Sequence, residues 1–293
     1  MPCMRPLTGW RVVNPDKPGK YLITFKGGHP SDRLKLPCGK CIGCLLERSR
    51  QWAVRCIHEA SLHNQNCFLT LTYDDYHLPP GGSLCKETFV KFMKRLRKRC
   101  GSGTRFFQCG EYGEKLKRPH HHVCLFGYDF SDKYVYGKSK SGHFLYRSPM
   151  LEELWPFGFC SIGELTKETA GYTARYCLKK LEHRIDEYEG LVPEYVTMSR
   201  RPGIGRGYYE LYKDDLFNYD LCVVDNGFLC KPPLRYDEWL AVDEPTRYGV
   251  VKLGRILAAK DIDEPTLDRL MDLEHSLRVR TKSLKRNYEI DSI

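Results

Sequence analysis

The sequence predicts an α+β fold: an antiparallel sheet flanked by helices, preceded by a cysteine-rich N-terminal module. Three observations carry that prediction. Between Cys67 and Leu181 the apolar pattern alternates between strand and helix periods, in the order strand, helix, strand, strand, helix, strand. That is the split β-α-β order of a ferredoxin-like antiparallel sheet, with one further helix after it. The first 43 residues are rich in Pro, Gly and Lys and carry little periodicity, so they read as an irregular module. At its end, "PCGKCIGC" (Pro37–Cys44) spaces Cys38, Cys41 and Cys44 by two residues each.

The elements follow in order. From Cys44 to about His63, Trp52, Cys56, Ile57 and Ala60 recur at helical spacing, with Arg48, Arg50 and Arg55 adding charge. "CFLTLTY" (Cys67–Tyr73) is rich in β-formers and alternates, and "DDYHLPPGG" after it is a loop. Lys86–Cys100 is an amphipathic helix, with Phe89, Phe92, Met93 and Leu96 inward and Lys91, Lys94, Arg95, Lys98 and Arg99 outward. "RFFQCGE" (Arg105–Glu111) and "HHVCLFG" (His121–Gly127) form a hairpin across "YGEKLKRP". A short helix near Leu151–Trp155, a strand at Phe159–Leu165 and a helix from Lys167 to about Leu181 complete the core. "SRRPGIGRGYYE" (Ser199–Glu210) reads as a basic, Gly-rich loop. A helix is expected from Pro265 to about Tyr288; its Leu270, Leu277 and Leu284 are spaced by seven, a seam for self-association or, preferably, for packing on its own domain. The expected division is residues 1–63 as the Cys-rich module and first helix, 64–185 as the core, and 186–293 as a basic loop and helical extension.

The 293 residues carry a formal net charge of +10, which suits an anionic partner, nucleic acid before an acidic membrane surface. No stretch approaches the roughly 20 apolar residues that span a bilayer, and "MPCMRPLTGW" has no apolar signal region. The expected setting is a reducing cytosol, where 14 cysteines serve as thiols and metal ligands rather than as a disulfide framework.

Three clusters carry candidate chemistry. In "PHHHVCLFG", His120 and His122 share one face of a strand and His121 takes the other. With Glu111 at the end of the preceding strand they form a His–His–carboxylate set, suited to Mg2+ or Mn2+ acting as a Lewis acid. Glu114, in the turn, ranks second as the carboxylate, and a cluster of surface histidines is the plain alternative. In "AGYTARYCLKK", Tyr172 and Tyr176 lie one helical turn apart, Lys180 continues their face and Lys179 lies at its edge. A phenol has a free pKa near 10 and needs such cations or a metal-bound phosphate to act as a nucleophile; the alternative is an amphipathic helix whose tyrosines pack on the sheet. Cys3 could join Cys38, Cys41 and Cys44 as ligands of a structural Zn2+, with free thiols and an iron–sulfur cluster as the other readings.

These motifs in this order resemble the HUH single-strand endonucleases, and more closely the replication initiators of the Microviridae, gokushovirus type. The resemblance rests on "FLTLTY", "GEYGEKLKRPHHHVCLFG", "GYTARYCLKK", "PCGKCIGC" and "SRRPGIG", and covers roughly residues 1–210. It implies an enzyme that nicks one strand of replicative-form DNA at the phage origin, stays linked to the 5′ phosphate through tyrosine, and rejoins ends during rolling-circle replication. His120, His122 and Glu111 would hold the divalent metal, Tyr172 and Tyr176 would be the nucleophiles, and Lys179 or Lys180 would assist. Host helicase and polymerase would be partners, in the host bacterial cytoplasm, with no membrane. Where the family usually has a bulky apolar residue between the two histidines, this chain has His121, which admits a register with His121 alone at the metal. The Lys86–Arg99 helix and Arg200, Arg201 and Arg206 are candidate phosphate contacts. A non-catalytic zinc-containing nucleic-acid-binding regulator and an HUH transposase or relaxase are the rival readings.

Overall fold

A computed structural model of the chain describes residues 3–16, 21–113, 116–139, 142–182, 190–224, 227–260, 263 and 265–283, with the backbone alone at 175–182 and 282–283. The centre of the fold is built on strand β4 (Asn66–Leu71), five of whose six residues are buried. It pairs on both sides, with β6 (Pro119–Phe126) and β9 (Cys160–Gly163). An interior strand covered on both faces needs apolar or satisfied polar residues throughout, which is why NCFLTL carries Phe, Leu and Thr at every position past Cys67.

The sheet has the order β10-β5-β6-β4-β9-β8-β7, every pairing antiparallel. Here β5 is Arg105–Tyr112, β7 Tyr134–Lys138, β8 Phe144–Arg147 and β10 Tyr195–Met198. The chain is thus of mixed α+β class with a large antiparallel sheet. The four expected strands are its middle; the β7–β8 hairpin and β10 extend it at either end. Those three were not expected, for a physical reason. Four of the five β7 residues are exposed, only one of the four β8 residues is buried and all four of β10 are half-buried, so none carries a run of buried positions.

Alternation along the inner strands divides the core. Leu69 and Leu71, with Val123, Leu125 and Ile162, meet Phe89, Phe92 and Leu96 of α2 (Lys86–Cys100) and Leu151 of α3 (Pro149–Leu154). Trp155 joins this side and donates its indole N–H to the Thr72 carbonyl at 2.7 Å. On the opposite face, Phe68, Phe107, Cys109, Cys124 and Phe126 pack with Cys56 of α1 (Ile42–Ala60) and Ala170, Tyr172 and Ala174 of α4 (Lys167–Glu182). Burying side chains this size stabilises the fold by about 1.5–3 kcal/mol each.

Beyond α4 the structure corrects the loop expected at Ser199–Glu210: α5 (Arg206–Asn218) starts inside it, after Gly205 at φ 78°. Tyr209, Leu216 and Phe217 give α5 an apolar face that the glycines before it masked. A β11–β12 hairpin (Cys222–Val223, Leu229–Cys230), α6 (Leu234–Asp243) and α7 (Pro245–Ala259) follow. Tyr209, Phe217, Cys222, Tyr236 and Leu240 make the local core.

The chain divides into two compact units, Met1–Arg48 with Asp263–Lys285, and Ser49–Ile262 with Arg286–Ile293. In the smaller unit the segment expected to be irregular holds a three-stranded antiparallel sheet, β2-β1-β3 (Tyr21–Thr24, Leu7–Val13, Arg33–Leu36). Only one position of its three strands, Gly9, is buried, so the sequence shows little burial pattern. Helix α8 spans Leu267–Ser283. Leu270 packs with Met4, Cys41 and Ile42, and Leu277 joins the same cluster, so that seam packs within the chain; Leu284 lies outside the described residues. Among the described residues no helix is long and apolar enough to cross a membrane.

Candidate metal centre and tyrosine helix

The β5–β6 register places Glu111 directly opposite His120, and the β4–β6 register places Thr70 opposite His122. Strand alternation then sends His120 and His122 to the α1/α4 side of the sheet. His120 Nε2 lies 2.6 Å from Glu111 Oε1, and His122 Nε2 lies 3.3 Å from the same oxygen. The far nitrogens are engaged elsewhere. His120 Nδ1–H donates to the Arg118 carbonyl at 3.2 Å, and His122 Nδ1 is 3.1 Å from Thr70 Oγ1. Bonds at Nδ1 fix each ring with Nε2 toward the carboxylate, the orientation that metal-ligating imidazoles take from their outer partners. Glu111, His120 and His122 offer ligand atoms all within 4.8 Å of one another, and this set of two imidazoles and a carboxylate can hold a metal ion. Burial pushes the Glu111 carboxyl upward, but the charges and hydrogen bonds of His120 and His122 outweigh it and hold the group below the ordinary carboxylate range.

Tyr172 belongs to the same face. Its ring stands edge-on to His122 at 5.1 Å and to Phe68 at 6.4 Å, while Phe68 stacks on His122 at 5.5 Å. Tyr176, Lys179 and Lys180 lie on the backbone of α4, but their side chains are outside the described residues, as is Glu114. Tyr172 is 2% exposed and the three candidate ligand residues no more than 1%.

His121 points the other way, which overturns the register that would set it alone against a metal. Gln108 Nε2–H donates to His121 Nδ1 at 3.0 Å, and His121 Nε2–H donates to the Tyr73 hydroxyl at 3.0 Å. Thr197 Oγ1 donates to Gln108 Oε1 at 2.7 Å and closes the network. Burial, reinforced by the charges of His120 and His122, pulls His121 down to about 3 and keeps it neutral.

The expected phosphate contacts divide into exposed and engaged residues. Lys91, Lys94 and Lys98 on α2 are exposed, as are Arg200 and Arg201. Arg95 instead donates to the Leu154 carbonyl at 2.7 and 3.0 Å, and Arg99 pairs with Glu153. Arg206 is held by Glu210 at 2.6 Å and Asp243 at 2.8 Å. Sequence reading missed what fixes the Arg200–Arg201 segment. Buried Glu59 pairs with Arg105 and accepts from Gly205 N–H at 2.7 Å; Arg105 also donates to the Pro202 carbonyl at 2.8 Å, and Arg55 to that of Ile204 at 3.0 Å. It also missed Thr70 and Arg118, whose roles come from cross-strand register and backbone position, which spacing does not reveal.

In the smaller unit Cys3, Cys38, Cys41 and Cys44 bring four sulfurs within 4.8 Å of one another, and this cluster can also hold a metal ion. Cys38 N–H donates to Cys3 Sγ at 3.2 Å, Met4 N–H to Cys41 Sγ at 3.2 Å, and Cys41 N–H to Cys38 Sγ at 3.3 Å. Backbone donors aimed at sulfur favour thiolates over thiols. Burial opposes ionisation of Cys41, but the N–H groups of Cys44 and Met4 and the neighbouring thiols hold it at about 6. Burial leaves Cys3 and Cys44 raised.

Residues 66–181 match the family described as replication-associated protein ORF2/G2P. The chain is 32% identical to replication-associated protein VP4 of Bdellovibrio phage phiMH2K, over 96% of this chain and 90% of that protein. It is 36% identical to replication-associated protein ORF2 of Spiroplasma virus 4, over 76% of this chain and 74% of that one. With replication-associated protein ORF4 of Chlamydia phage 1 it shares 38% identity over 58% of this chain and 46% of that one. No solved structure matches. Identity at this level across almost the full length, together with the family match over residues 66–181, leads to one conclusion: the chain belongs to the replication-associated proteins of the Microviridae phages.

Proposed function

We propose that this protein is a metal-dependent HUH endonuclease that starts rolling-circle replication by nicking one strand at the phage origin, and that later rejoins the ends. The observation that carries this reading is the convergence of His120, His122 and Glu111 from paired strands with Tyr172 from the helix packed over them. The strand order β9-β4-β6-β5 supports a ferredoxin-like core within residues 64–185, between the Cys-rich residues 1–63 and the extension 186–293.

His120, His122 and Glu111 would hold Mg2+ or Mn2+, and the bound ion would supply Lewis-acid chemistry toward a phosphate at the scissile bond. The Tyr172 or Tyr176 hydroxyl loses its proton and its oxygen attacks phosphorus; the bond to the 3′ oxygen breaks, and that oxygen leaves as a hydroxyl after taking up a proton. The product is a phosphotyrosine ester on the 5′ end, which keeps the energy needed for rejoining. Lys179 or Lys180 favours the phenolate. With two tyrosines, one holds the 5′ end while the other attacks the regenerated origin. Arg200 and Arg201, on a segment anchored by Glu59 and Arg105, and Lys91, Lys94 and Lys98 contact DNA phosphates. Cys3, Cys38, Cys41 and Cys44 would hold a structural Zn2+ that orders the N-terminal unit. Host helicase and polymerase act on the primed 3′ end in the bacterial cytoplasm.

The test is a labelled single-stranded oligonucleotide carrying the origin of the protein's own genome, incubated with protein and Mn2+ and run on a denaturing gel. The expected result is an SDS-resistant protein–DNA band that disappears with EDTA, with His120→Ala and with Tyr172→Phe/Tyr176→Phe. Tight binding with no adduct and no cleavage across several metals would overturn the enzyme in favour of a zinc-containing regulator. Cleavage confined to unrelated hairpin or transfer-origin DNA would point to a transposase or relaxase.

A further inference from the structure

Cys222 and Cys230 stand opposite each other in the β11–β12 ladder, with their Sγ atoms 3.4 Å apart. Opposed residues of an antiparallel pair have Cα atoms about 4.5–5.5 Å apart, inside the range that a disulfide spans. Closing the bond therefore needs side-chain rotation rather than backbone rearrangement. Arg50 of α1 places Nη1 3.2 Å from Cys230 Sγ and is fixed there by a second bond to the Lys231 carbonyl at 2.9 Å. A guanidinium held against one sulfur favours its thiolate, the reactive form. The two thiols are unequal in access as well: Cys222 is buried and Cys230 half-buried. Hydrogen bonding from Cys222 lowers Cys230; burial opposes this and Arg50 and Lys167 add to it, leaving Cys230 at about 6 while Cys222 is pushed up. The hairpin also touches the tyrosine helix, because Lys167, the first residue of α4, sits 3.8 Å over the ring of Phe228. The nicking chemistry uses none of these groups.

We propose that Cys222 and Cys230 are a redox-active dithiol, with Cys230 the attacking sulfur, which a low-molecular-weight disulfide converts to an intramolecular bridge. The Cys230 thiolate attacks one sulfur of the small disulfide. A mixed disulfide forms and one small thiolate leaves. Cys222 then gives up its proton and attacks Cys230 Sγ, expelling the second small thiolate. Two protein thiols are oxidised to one disulfide, and one small disulfide is reduced to two thiols. A small dithiol reductant reverses both steps.

The experiment uses the full chain with glutathione disulfide near neutral pH, quenched with an alkylating agent at intervals and mapped by peptide mass. Cys85 is the internal control: it is half-buried like Cys230, but its sulfur lies 3.6 Å from the Glu87 carboxylate instead of a guanidinium. The expected result is a Cys222–Cys230 bridge forming about tenfold or more faster than the mixed disulfide at Cys85. Cys222→Ser should accumulate a stable glutathione adduct at Cys230, and Cys230→Ser should leave Cys222 unmodified. The proposal fails if both thiols remain alkylatable once Cys85 has reacted. It fails equally if the wild-type protein stops at the mixed disulfide, or if Cys222 is the residue that reacts first.

Discussion

His121→Leu separates the two faces of β6. In the native protein His121 links Gln108 and Tyr73, which are 0% and 5% exposed. Leucine can bond neither, so a buried amide and a buried hydroxyl each lose a partner, at about 1–3 kcal/mol apiece. Leucine regains part of this through apolar contact, because the His121 ring lies between those of Trp155 at 5.5 Å and Phe89 at 5.9 Å. The expected net loss is roughly 2–4 kcal/mol, read as a lowered urea midpoint at neutral pH. The triple variant Tyr73→Phe/Gln108→Leu/His121→Leu removes the network as a unit and should recover most of that loss, since apolar replacement of all partners leaves nothing buried and unpaired. Thr197, half-buried, then turns its hydroxyl to water. Because His121 lies on the face away from Glu111, Mn2+ affinity measured calorimetrically should stay within about twofold of wild type wherever the variant is folded. Loss of Mn2+ binding in folded His121→Leu would refute the face assignment. A triple variant no more stable than the single one would refute the energetics.

Other perturbations test neighbouring parts of the argument. Thr70→Val removes the hydroxyl that orients His122, with little change in volume; Mn2+ affinity should fall about 10- to 100-fold in calorimetry while the urea midpoint stays near wild type. His58 is 1% exposed, between the Tyr236 hydroxyl and the Val223 carbonyl at 2.8 Å each, and burial pulls it down to about 4. Its folded value lies below its unfolded one, so the unfolded chain binds the extra proton between about pH 6.5 and 4. Acidification through that window should therefore cost about 3 kcal/mol of stability, and His58→Leu, though less stable at pH 7, should lose that much less, giving urea midpoints that converge toward pH 4. Diethyl pyrocarbonate should modify exposed His29 and His275 long before His120 and His122, as read by peptide mass; equal rates would mean the centre is open. A strong chelator should release about one zinc per chain from protein expressed with zinc, and Cys41→Ser should prevent its uptake.

Much of this was legible in the sequence where one physical rule dominates. Helix α2 has the bounds read from its 3.6-residue pattern, with Phe89, Phe92, Met93 and Leu96 buried as that pattern requires. The middle strands were legible because their inward residues are large and β-forming. What stayed hidden lacks such a one-sided signal. Helix α7 buries none of its residues and β7 is exposed at four of five positions, so neither imposes a burial period on its sequence. At the site, side-chain spacing predicts that His120 and His122 share a face, but it cannot say that Thr70 and the Arg118 carbonyl complete their hydrogen bonds, since both depend on which strands pair and in what register. Charge behaves likewise. Arg99 and Arg206 read as DNA contacts because their sign is written in the sequence, whereas their partners Glu153, Glu210 and Asp243 are not.

The burial of the triad itself argues for its use. A carboxylate and two imidazoles out of water cost desolvation, and groups of this kind can commonly be replaced by packed apolar side chains without loss of stability. Strand β6 makes that apolar choice at Val123, Leu125 and Phe126, all 0% exposed. It keeps His120 and His122 at two alternate positions of one face, opposite a carboxylate, with each Nδ1 tied back and each Nε2 turned to Glu111. Packing alone would not select two imidazoles in one orientation, and a hydrogen-bonded core needs only one such pair, as His121 illustrates on the other face. A site that must hold a cation in fixed geometry needs all of these features together. It also needs the most rigid position available, which the sheet supplies by pairing β6 along both edges.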